Sequence, residues 1–107
     1  MVVLTDVDGL LAARVAVLKC VAEPIRWRVI EILGREGGRC HGDLEVALGV
    51  PASLMSHHLR VLRDAGLVAT RRRGKQVEYR LAPSAPQLLH DALPDVAPDT
   101  AGADTRG

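Results

Sequence analysis

The residue types best suited to contact a polyanion lie on one face of a predicted helix over residues 51–65. Apolar residues recur at Met55, Leu59 and Leu62, a spacing that indicates a buried helix face. The opposite face carries hydroxyl, imidazole and guanidinium groups, which donate hydrogen bonds to base edges and phosphates: Ser53, Ser56, His57, Arg60 and Arg63. Leu54 lies on the same side and is suited to contact a thymine methyl group. We interpret this face as a candidate for the DNA major groove, the alternative being an ordinary solvated helix face.

A run of cations follows this helix at the tip of a predicted hairpin. Val77, Tyr79 and Leu81 alternate with polar residues, which predicts a half-buried strand. Residues 68–72 can pair with this strand, and Gly74 supplies the conformational freedom that a tight turn needs. Four cations near the tip would repel one another unless a polyanion lay beside them: Arg71, Arg72, Arg73 and Lys75. The pattern predicts a two-stranded wing that contacts DNA phosphates.

The distribution of charge supports a nucleic-acid partner more strongly than the net charge of +1 does. The 107 residues hold 14 Lys and Arg and 13 Asp and Glu. Residues 57–80 contain seven of the basic residues and two of the acidic ones, so positive charge is concentrated in the predicted helix and hairpin. A solvated charge run would explain the hairpin alone, but not its place directly after such a helix.

The rest of the sequence predicts a helical scaffold for these two elements. Aromatic residues are limited to one Trp and one Tyr, so the core must be built from Leu, Val, Ile and Ala, which suits packed helices. Helical spacing and Pro or Gly boundaries predict helices over 6–21, from 24 to the glycines at 34–38, over 41–48 and over 85–93. Residues 94–107 have almost nothing to bury and are predicted to be disordered. We therefore expect one domain over residues 1–93, mainly α with a two-stranded β wing.

Four segments between Leu18 and Leu81 form a specific combination of motifs. They are L-K-C-V-A-E-P-I-R-W-R-V (Leu18–Val29), R-C-H-G-D-L (Arg39–Leu44), S-H-H-L-R-V-L-R-D-A-G-L-V (Ser56–Val68) and R-R-R-G-K-Q-V-E-Y-R-L (Arg71–Leu81). In this order they resemble the ArsR/SmtB family of winged helix-turn-helix transcriptional repressors. The resemblance implies a homodimer formed through the first and last helices, a pseudo-palindromic operator in double-stranded DNA, and control by a metal or metalloid ion.

The resemblance also places Cys40 where metal-responsive members of the family have the first cysteine of C-V-C-D-L. Here the run is C-H-G-D-L, so Gly42 stands where the C-x-C form has its second cysteine. A helix N-terminus stabilises a thiolate, and His41 could add a nitrogen ligand. Cys20 is a further candidate ligand, its alternative being a core residue. The candidate set of Cys40, His41 and Cys20 would suit nickel, zinc, cobalt or copper, or arsenite.

Two alternatives to a metal-responsive repressor remain at this point. Cys20 and Cys40 could form a thiol redox switch, or an accessory protein partner could carry the sensor. An enzyme is not expected, because the sequence suggests neither a Ser, His and acid grouping nor a phosphate-binding glycine loop. Since no long apolar run is present and only two cysteines occur, we expect a cytoplasmic protein with reduced thiols and no membrane partner.

Overall fold

The computed structural model describes residues 9–97, which form five helices and three strands. The elements are α1 (Leu10–Val21), α2 (Pro24–Glu36), β1 (Arg39–Cys40), α3 (His41–Leu48), α4 (Ala52–Asp64), β2 (Val68–Arg73), β3 (Gln76–Leu81) and α5 (Ala85–Ala92). The predicted beginning of the first helix at Asp6, and residues 98–107 of the predicted disordered tail, lie outside the described residues. The mainly helical fold with a small antiparallel sheet confirms the predicted fold class.

The end of α4 shows how the chain turns from helix to strand. Gly66 has a φ of 80°, in the left-handed region that glycine adopts without strain. The next N–H group, that of Leu67, donates to the carbonyl of Leu62 at 3.0 Å. Both leucine side chains are fully buried, which adds an apolar contact across the turn. The helix therefore ends abruptly and leads directly into β2.

The sheet has three strands in the order β1-β3-β2, whereas the sequence predicted two. The hairpin of β2 and β3, which we call the wing (Val68–Leu81), pairs as predicted, with Val68 opposite Leu81 and Arg73 opposite Gln76. The strand that the sequence did not predict is β1, which pairs antiparallel with β3 through Arg39 and Cys40. Two residues are too few to show an alternating pattern, so only the long-range pairing reveals this strand.

The core lies between the helices and the inner end of the sheet. Its largest fully buried side chains come from α2, α3, α4 and the turn that follows α4: Val29, Leu44, Met55, Leu59, Leu62 and Leu67. α1 packs against α5, and the guanidinium of Arg14 donates to the backbone carbonyls of Asp91 and Leu93. Buried leucines on the core side therefore hold the helix-turn-helix of α3 and α4 in position.

Apolar surface is left exposed on one side, where α1, α2 and α5 meet. Trp27 is 55% exposed there and lies beside Leu18, Leu89 and Leu93, which line a mainly apolar groove of about 290 Å³. Contiguous exposed apolar surface of this kind marks association sites in folded proteins. Within residues 9–97, no helix has both the length and the apolar character that crossing a bilayer would require.

Candidate nucleic-acid interface

The polar face of α4 is exposed along its whole length, as the sequence predicted. Six predicted contact residues are accessible: Ser53, Leu54, Ser56, His57, Arg60 and Arg63. Five of these six, with Leu59 and Tyr79 of β3, line an open depression of about 300 Å³ between α4 and the wing. The opposite face of α4 is buried, with Met55, Leu59 and Leu62 at 2% exposure or less. Burial of that face fixes the direction in which the polar face points.

A hydrogen-bonded chain that the sequence analysis missed joins α3 to α4. The imidazole of His41 bonds the carboxylate of Glu45 through Nδ1 and the hydroxyl of Ser56 through Nε2, the latter at 2.9 Å. The His41 ring also packs edge-on against Tyr79, with 6.1 Å between ring centroids. The sequence did not suggest this Ser, His and acid grouping, whose acid is Glu45 rather than an Asp. In this fold the grouping orients Ser56 on the exposed face of α4.

A second link joins α4 to α2 through buried polar groups. His58 is 5% exposed, and its Nδ1 accepts a hydrogen bond from the Arg26 guanidinium at 2.9 Å. Arg26 also donates to the backbone carbonyl of Cys20 at 2.6 Å. Burial lowers the pKa of His58, and the charges of Arg26 and His57 lower it further, while Glu23 raises it. The pKa of His58 therefore lies below the ordinary histidine value. His58 is thus a structural residue, while its neighbour His57 faces solvent.

The strand register gives the wing two different faces. Side chains alternate along a strand, so Arg72, paired with Val77, lies on the same face as Tyr79, which lines the depression beside α4. The other face carries Glu78, which forms ion pairs at N–O distances of 3.1 to 3.4 Å with three guanidinium groups: Arg71, Arg73 and Arg80. In the described part of the chain, no acidic side chain forms an ion pair with Arg72 or Lys75.

The electrostatics of Glu78 follow from these neighbours. Burial alone would raise the pKa of its carboxyl group. The hydrogen bond from Arg73 and the charges of Arg71, Arg73 and Arg80 outweigh burial, so the pKa lies below its usual value. The carboxylate is therefore charged at neutral pH. The repulsion that the sequence analysis expected a polyanion to relieve is partly relieved within the wing itself.

The two thiols have separate surroundings. Cys20 is 5% exposed on α1, with its Sγ 3.9 Å from the carbonyl oxygen of Val61 in α4, and burial raises its thiol pKa against the lowering effect of Arg26. Cys40 is half-buried at the end of β1, where its thiol donates to Oε1 of Gln76 in the wing at 2.9 Å. Cys20 is therefore a core residue in this fold, and Cys40 is the accessible thiol.

The candidate ligands Cys40, His41 and Cys20 do not form a metal site within one chain. Both ring nitrogens of His41 already bond Glu45 and Ser56. Among the side chains that the structure describes, no three from His, Cys, Asp and Glu are placed so that they could hold a metal ion together. A zinc or copper ion needs three or four such donors. The described residues of a single chain therefore do not fit a resident metal.

Comparison with known proteins agrees with this architecture. Residues 23–70 match the family described as "Bacterial regulatory protein, arsR family". The arsenic resistance transcriptional regulator ArsR1 of Pseudomonas putida is 40% identical over 80 residues, which are 75% of this chain and 62% of that protein. The biofilm growth-associated repressor of Agrobacterium fabrum is 41% identical over 83 residues, which are 77% of this chain and 70% of that protein.

A solved structure extends the likeness to the fold. The homodimeric winged helix-turn-helix DNA-binding domain of a possible ArsR-family transcriptional regulator from Mycobacterium bovis superimposes with a TM-score of 0.68 at 28% identity, covering 84% of each chain. This chain spans less than two thirds of the length of the Pseudomonas relative, and more than two thirds of the Agrobacterium one. On this evidence, the chain belongs to the arsR family of bacterial regulatory proteins.

Proposed function

We propose that the protein is a transcriptional repressor that binds operator DNA through α4 and the wing. The observation that carries this proposal is the exposed polar face of α4, which shares one open depression with the wing residue Tyr79. Both curated relatives bear names of transcriptional regulators, and one is named a repressor. We therefore propose a regulator rather than an enzyme, acting in the bacterial cytoplasm, where operator DNA lies.

The positions along α4 suggest a division of roles. The N-terminal half of a helix in the major groove reaches base edges, which favours four residues for base contacts: Ser53, Leu54, Ser56 and His57. The bond from His41 fixes the Ser56 hydroxyl before DNA arrives. Arg60 and Arg63 lie further along the same face and are placed to bind phosphates or bases. Arg72 and Lys75 extend the cationic surface from the wing, while Arg71 and Arg73, also predicted DNA contacts, are ion-paired with Glu78.

A homodimer is part of the proposal. The exposed apolar surface around Trp27 and Leu93, where α1, α2 and α5 meet, supports self-association. The Mycobacterium bovis relative is homodimeric in its solved structure. In a two-fold dimer the two α4 helices would contact successive major grooves about 34 Å apart. We therefore expect a pseudo-palindromic operator with half-sites one helical turn apart.

Substitution of Arg60 tests the DNA-binding proposal. An operator duplex is first selected from a random library with the wild-type protein, and affinities are then measured by fluorescence anisotropy at fixed salt. We expect Arg60→Ala to weaken operator binding by about tenfold or more, the usual loss for one specific Arg contact of ~1–3 kcal/mol. Arg35→Ala is the matched control, since Arg35 lies on α2 and pairs only weakly with Glu31 at 3.8 Å. Equal affinities for the two variants would contradict the proposal.

We further propose Cys40 as the residue through which an effector acts. The name of the Pseudomonas relative refers to arsenic resistance, and Cys40 is the accessible thiol of this chain. Because one chain lacks a complete donor set among residues 9–97, a metal or arsenite bound at Cys40 would need ligands from a second copy or from outside that range. The two thiols bond different segments, Cys20 the carbonyl of Val61 and Cys40 the amide of Gln76, so neither contact supports a disulfide between them. A sensor in an accessory protein stays an alternative.

A titration of the reduced protein tests the role of Cys40. Arsenite, zinc, nickel, cobalt and copper are added in turn, and the fluorescence of Trp27 and the release of a labelled operator are recorded together. We expect at least one of these ions to change both signals in the wild-type protein and in Cys20→Ser, but not in Cys40→Ser. A response that survives in Cys40→Ser would exclude Cys40 as the effector residue and leave the DNA-binding proposal intact.

A further inference from the structure

The wing separates its cations into two groups. Three share the carboxylate of Glu78 on the face turned away from the depression beside α4: Arg71, Arg73 and Arg80. Arg72 lies on the face of the depression, and Lys75 lies at the tip. Within residues 9–97, neither of these two has an acidic partner. The same short hairpin thus presents both ion-paired and unpaired cations.

The ion pairs with Glu78 differ from ordinary surface pairs. The Glu78 side chain is 9% exposed, whereas the side chains of the three arginines are 46–61% exposed. A carboxylate in such a position is poorly reached by water and by salt, so its attraction for its partners is screened less than that of an exposed pair. Removing its partners would leave a buried charge uncompensated, which is costly. A phosphate that competes for these arginines must therefore offset the cost of separating them from Glu78.

A glycine beside β1 leaves space for the carboxylate of Glu78. β1 lies beside β3 with Cys40 opposite Glu78, and Gly38 immediately precedes β1. A Cβ atom on Gly38 would lie only 2.4 Å from Cδ of Glu78, closer than real atoms approach. The absence of a side chain at Gly38 leaves the space that the Glu78 carboxylate occupies. Gly38 and Glu78 therefore form one structural unit beneath the three arginines.

We propose that Glu78 is a specificity-determining residue of the DNA-binding surface. Its carboxylate retains Arg71, Arg73 and Arg80 on the face of the wing turned away from the depression, so that these three add less sequence-independent attraction for phosphates than three unpaired arginines would. Arg72 and Lys75 are left to support the base contacts of α4. This inference rests on the proposed operator binding, and it concerns the ratio of operator to random-DNA affinity rather than the existence of DNA binding.

The test compares salt dependence in Glu78→Gln and in a control of equal charge change. Binding of each variant to the selected operator and to a random duplex of the same length is measured from about 50 to 300 mM KCl. For Glu78→Gln we expect the slope of log K against log salt on random DNA to steepen by about 0.9 for each arginine that gains a phosphate. We also expect the operator-to-random affinity ratio to fall by about fivefold or more, because the released arginines can contact phosphates of random DNA in any register, whereas on the operator the base contacts of α4 fix the register.

Glu31→Gln is the matched control. Glu31 also pairs with two arginines, Arg28 at 3.0 Å and Arg35 at 3.8 Å, but it lies on α2, away from the wing. It removes the same single charge, and because Glu31 also lines the apolar groove beside Trp27, it reports the effect of net charge once its oligomeric state has been shown to match that of the wild type. We expect the slope and the affinity ratio of Glu31→Gln to match those of the wild type.

A second variant tests position without any change of charge. Gly38→Ala would displace the flexible Glu78 side chain from its place against the sheet, and it keeps the net charge of the wild type. We expect Gly38→Ala to change the salt slope on random DNA and the operator-to-random affinity ratio in the same direction as Glu78→Gln does. It also carries the test if Glu78→Gln fails to fold.

The outcomes separate this inference from the proposed function. If the wild type binds no duplex, or binds operator and random DNA equally, the proposed function fails and the inference fails with it. If the wild type discriminates but Gly38→Ala and Glu78→Gln both match Glu31→Gln, the function stands and the role of Glu78 is refuted. A change in Glu31→Gln as large as that in Glu78→Gln would assign the effect to net charge and would also refute it.

Discussion

The DNA-binding surface has two regions, α4 and the wing, whose cations are positioned by different forces. The face of α4 opposite its cations is buried in the core, with Met55, His58, Leu59 and Leu62 at 5% exposure or less. In the wing, the side chains of β2 beyond Val68 are half-buried or exposed, and the buried side chain of β3 is Glu78. Apolar burial therefore fixes α4, and ion pairing organises the wing.

This difference predicts how each region responds to its surroundings. Apolar burial is not weakened by moderate salt, so the direction of the polar face of α4 is constant wherever the domain is folded. Ion pairs depend on ionic strength and on the protonation of the carboxylate. The region proposed to contact bases is thus rigid, and the region proposed to contact phosphates is adjustable. Four predictions test this contrast, from the largest expected effect to the smallest.

Truncation of a buried residue of α4 should have the largest effect. Leu62 is 0% exposed and bonds the turn after α4 through its carbonyl. We expect Leu62→Ala to lower the free energy of unfolding by about 2–5 kcal/mol, because a cavity is left in the core. The matched wing variant is Val77→Ala, at a position 37% exposed, for which we expect a change within about 0.5 kcal/mol. Urea unfolding measures both, and similar losses would show that the wing belongs to the same core.

The sequence predicted α4 and the wing well because both follow from local periodicity. The apolar spacing at Met55, Leu59 and Leu62 identified the buried face of α4, and the alternation at Val77, Tyr79 and Leu81 identified β3. Such patterns report which side of an element is buried, whatever it packs against. The exposed polar face of α4 follows automatically from the same geometry.

The sequence could not predict contacts that depend on distant segments. β1 is visible only through its pairing with β3, and the His41–Ser56 bond joins residues 15 positions apart. The role of Glu78 was missed for the same reason, since it was counted as one acid in a basic stretch. The candidate ligands Cys40, His41 and Cys20 came from the resemblance, and in the fold Cys20 lies in the core, away from the wing.

Each of the two cysteines contacts one of the two regions, so the rates at which their thiols react compare the mobility of those regions. Cys20 is buried against α4, and Cys40 bonds Gln76 of the wing. We expect a thiol reagent under native conditions to modify Cys40 at least ~100-fold faster than Cys20. Modification of Cys20 needs local opening of the core, and burial raises its thiol pKa, which lowers its thiolate fraction. Mass spectrometry of digested samples gives both rates, and comparable rates would mean that α1 opens readily from α4.

Substitution of wing arginines should show the division between the two faces. Arg72 has no ion pair within the described residues, whereas Arg71 pairs with Glu78 at 3.3 Å. We expect Arg72→Ala to weaken operator and random DNA alike and to reduce the salt slope by about 1, as the loss of one phosphate contact should. Arg71→Ala should reduce the slope by less than half as much. Equal slopes for the two variants would show that both faces of the wing meet the DNA.

The smallest effect concerns the pH dependence of α4 through His58. Its folded-state pKa lies below its ordinary value, chiefly because of burial, so the unfolded chain takes up the proton first as the pH falls. The stabilisation by neutral His58 is therefore complete above a pH of about 6.5, the usual histidine pKa, and is lost as the pH falls towards the lower folded-state value. We expect His58→Gln, which can still accept a hydrogen bond from Arg26, to lose less stability over that interval than the wild type.

His57→Gln provides the control for this prediction, since His57 is the adjacent residue of α4 and its side chain is exposed. Removing it should leave the loss of stability below pH 6.5 almost as in the wild type, when urea unfolding is measured at successive pH values. If the pH dependence of the free energy of unfolding became weaker in His57→Gln and not in His58→Gln, the imidazole whose protonation changes stability would be His57, on the exposed face of α4. The contrast between the rigid helix and the charge-dependent wing would then no longer hold, because protonation on the exposed face of α4, the face proposed to contact DNA, would change the stability of the domain.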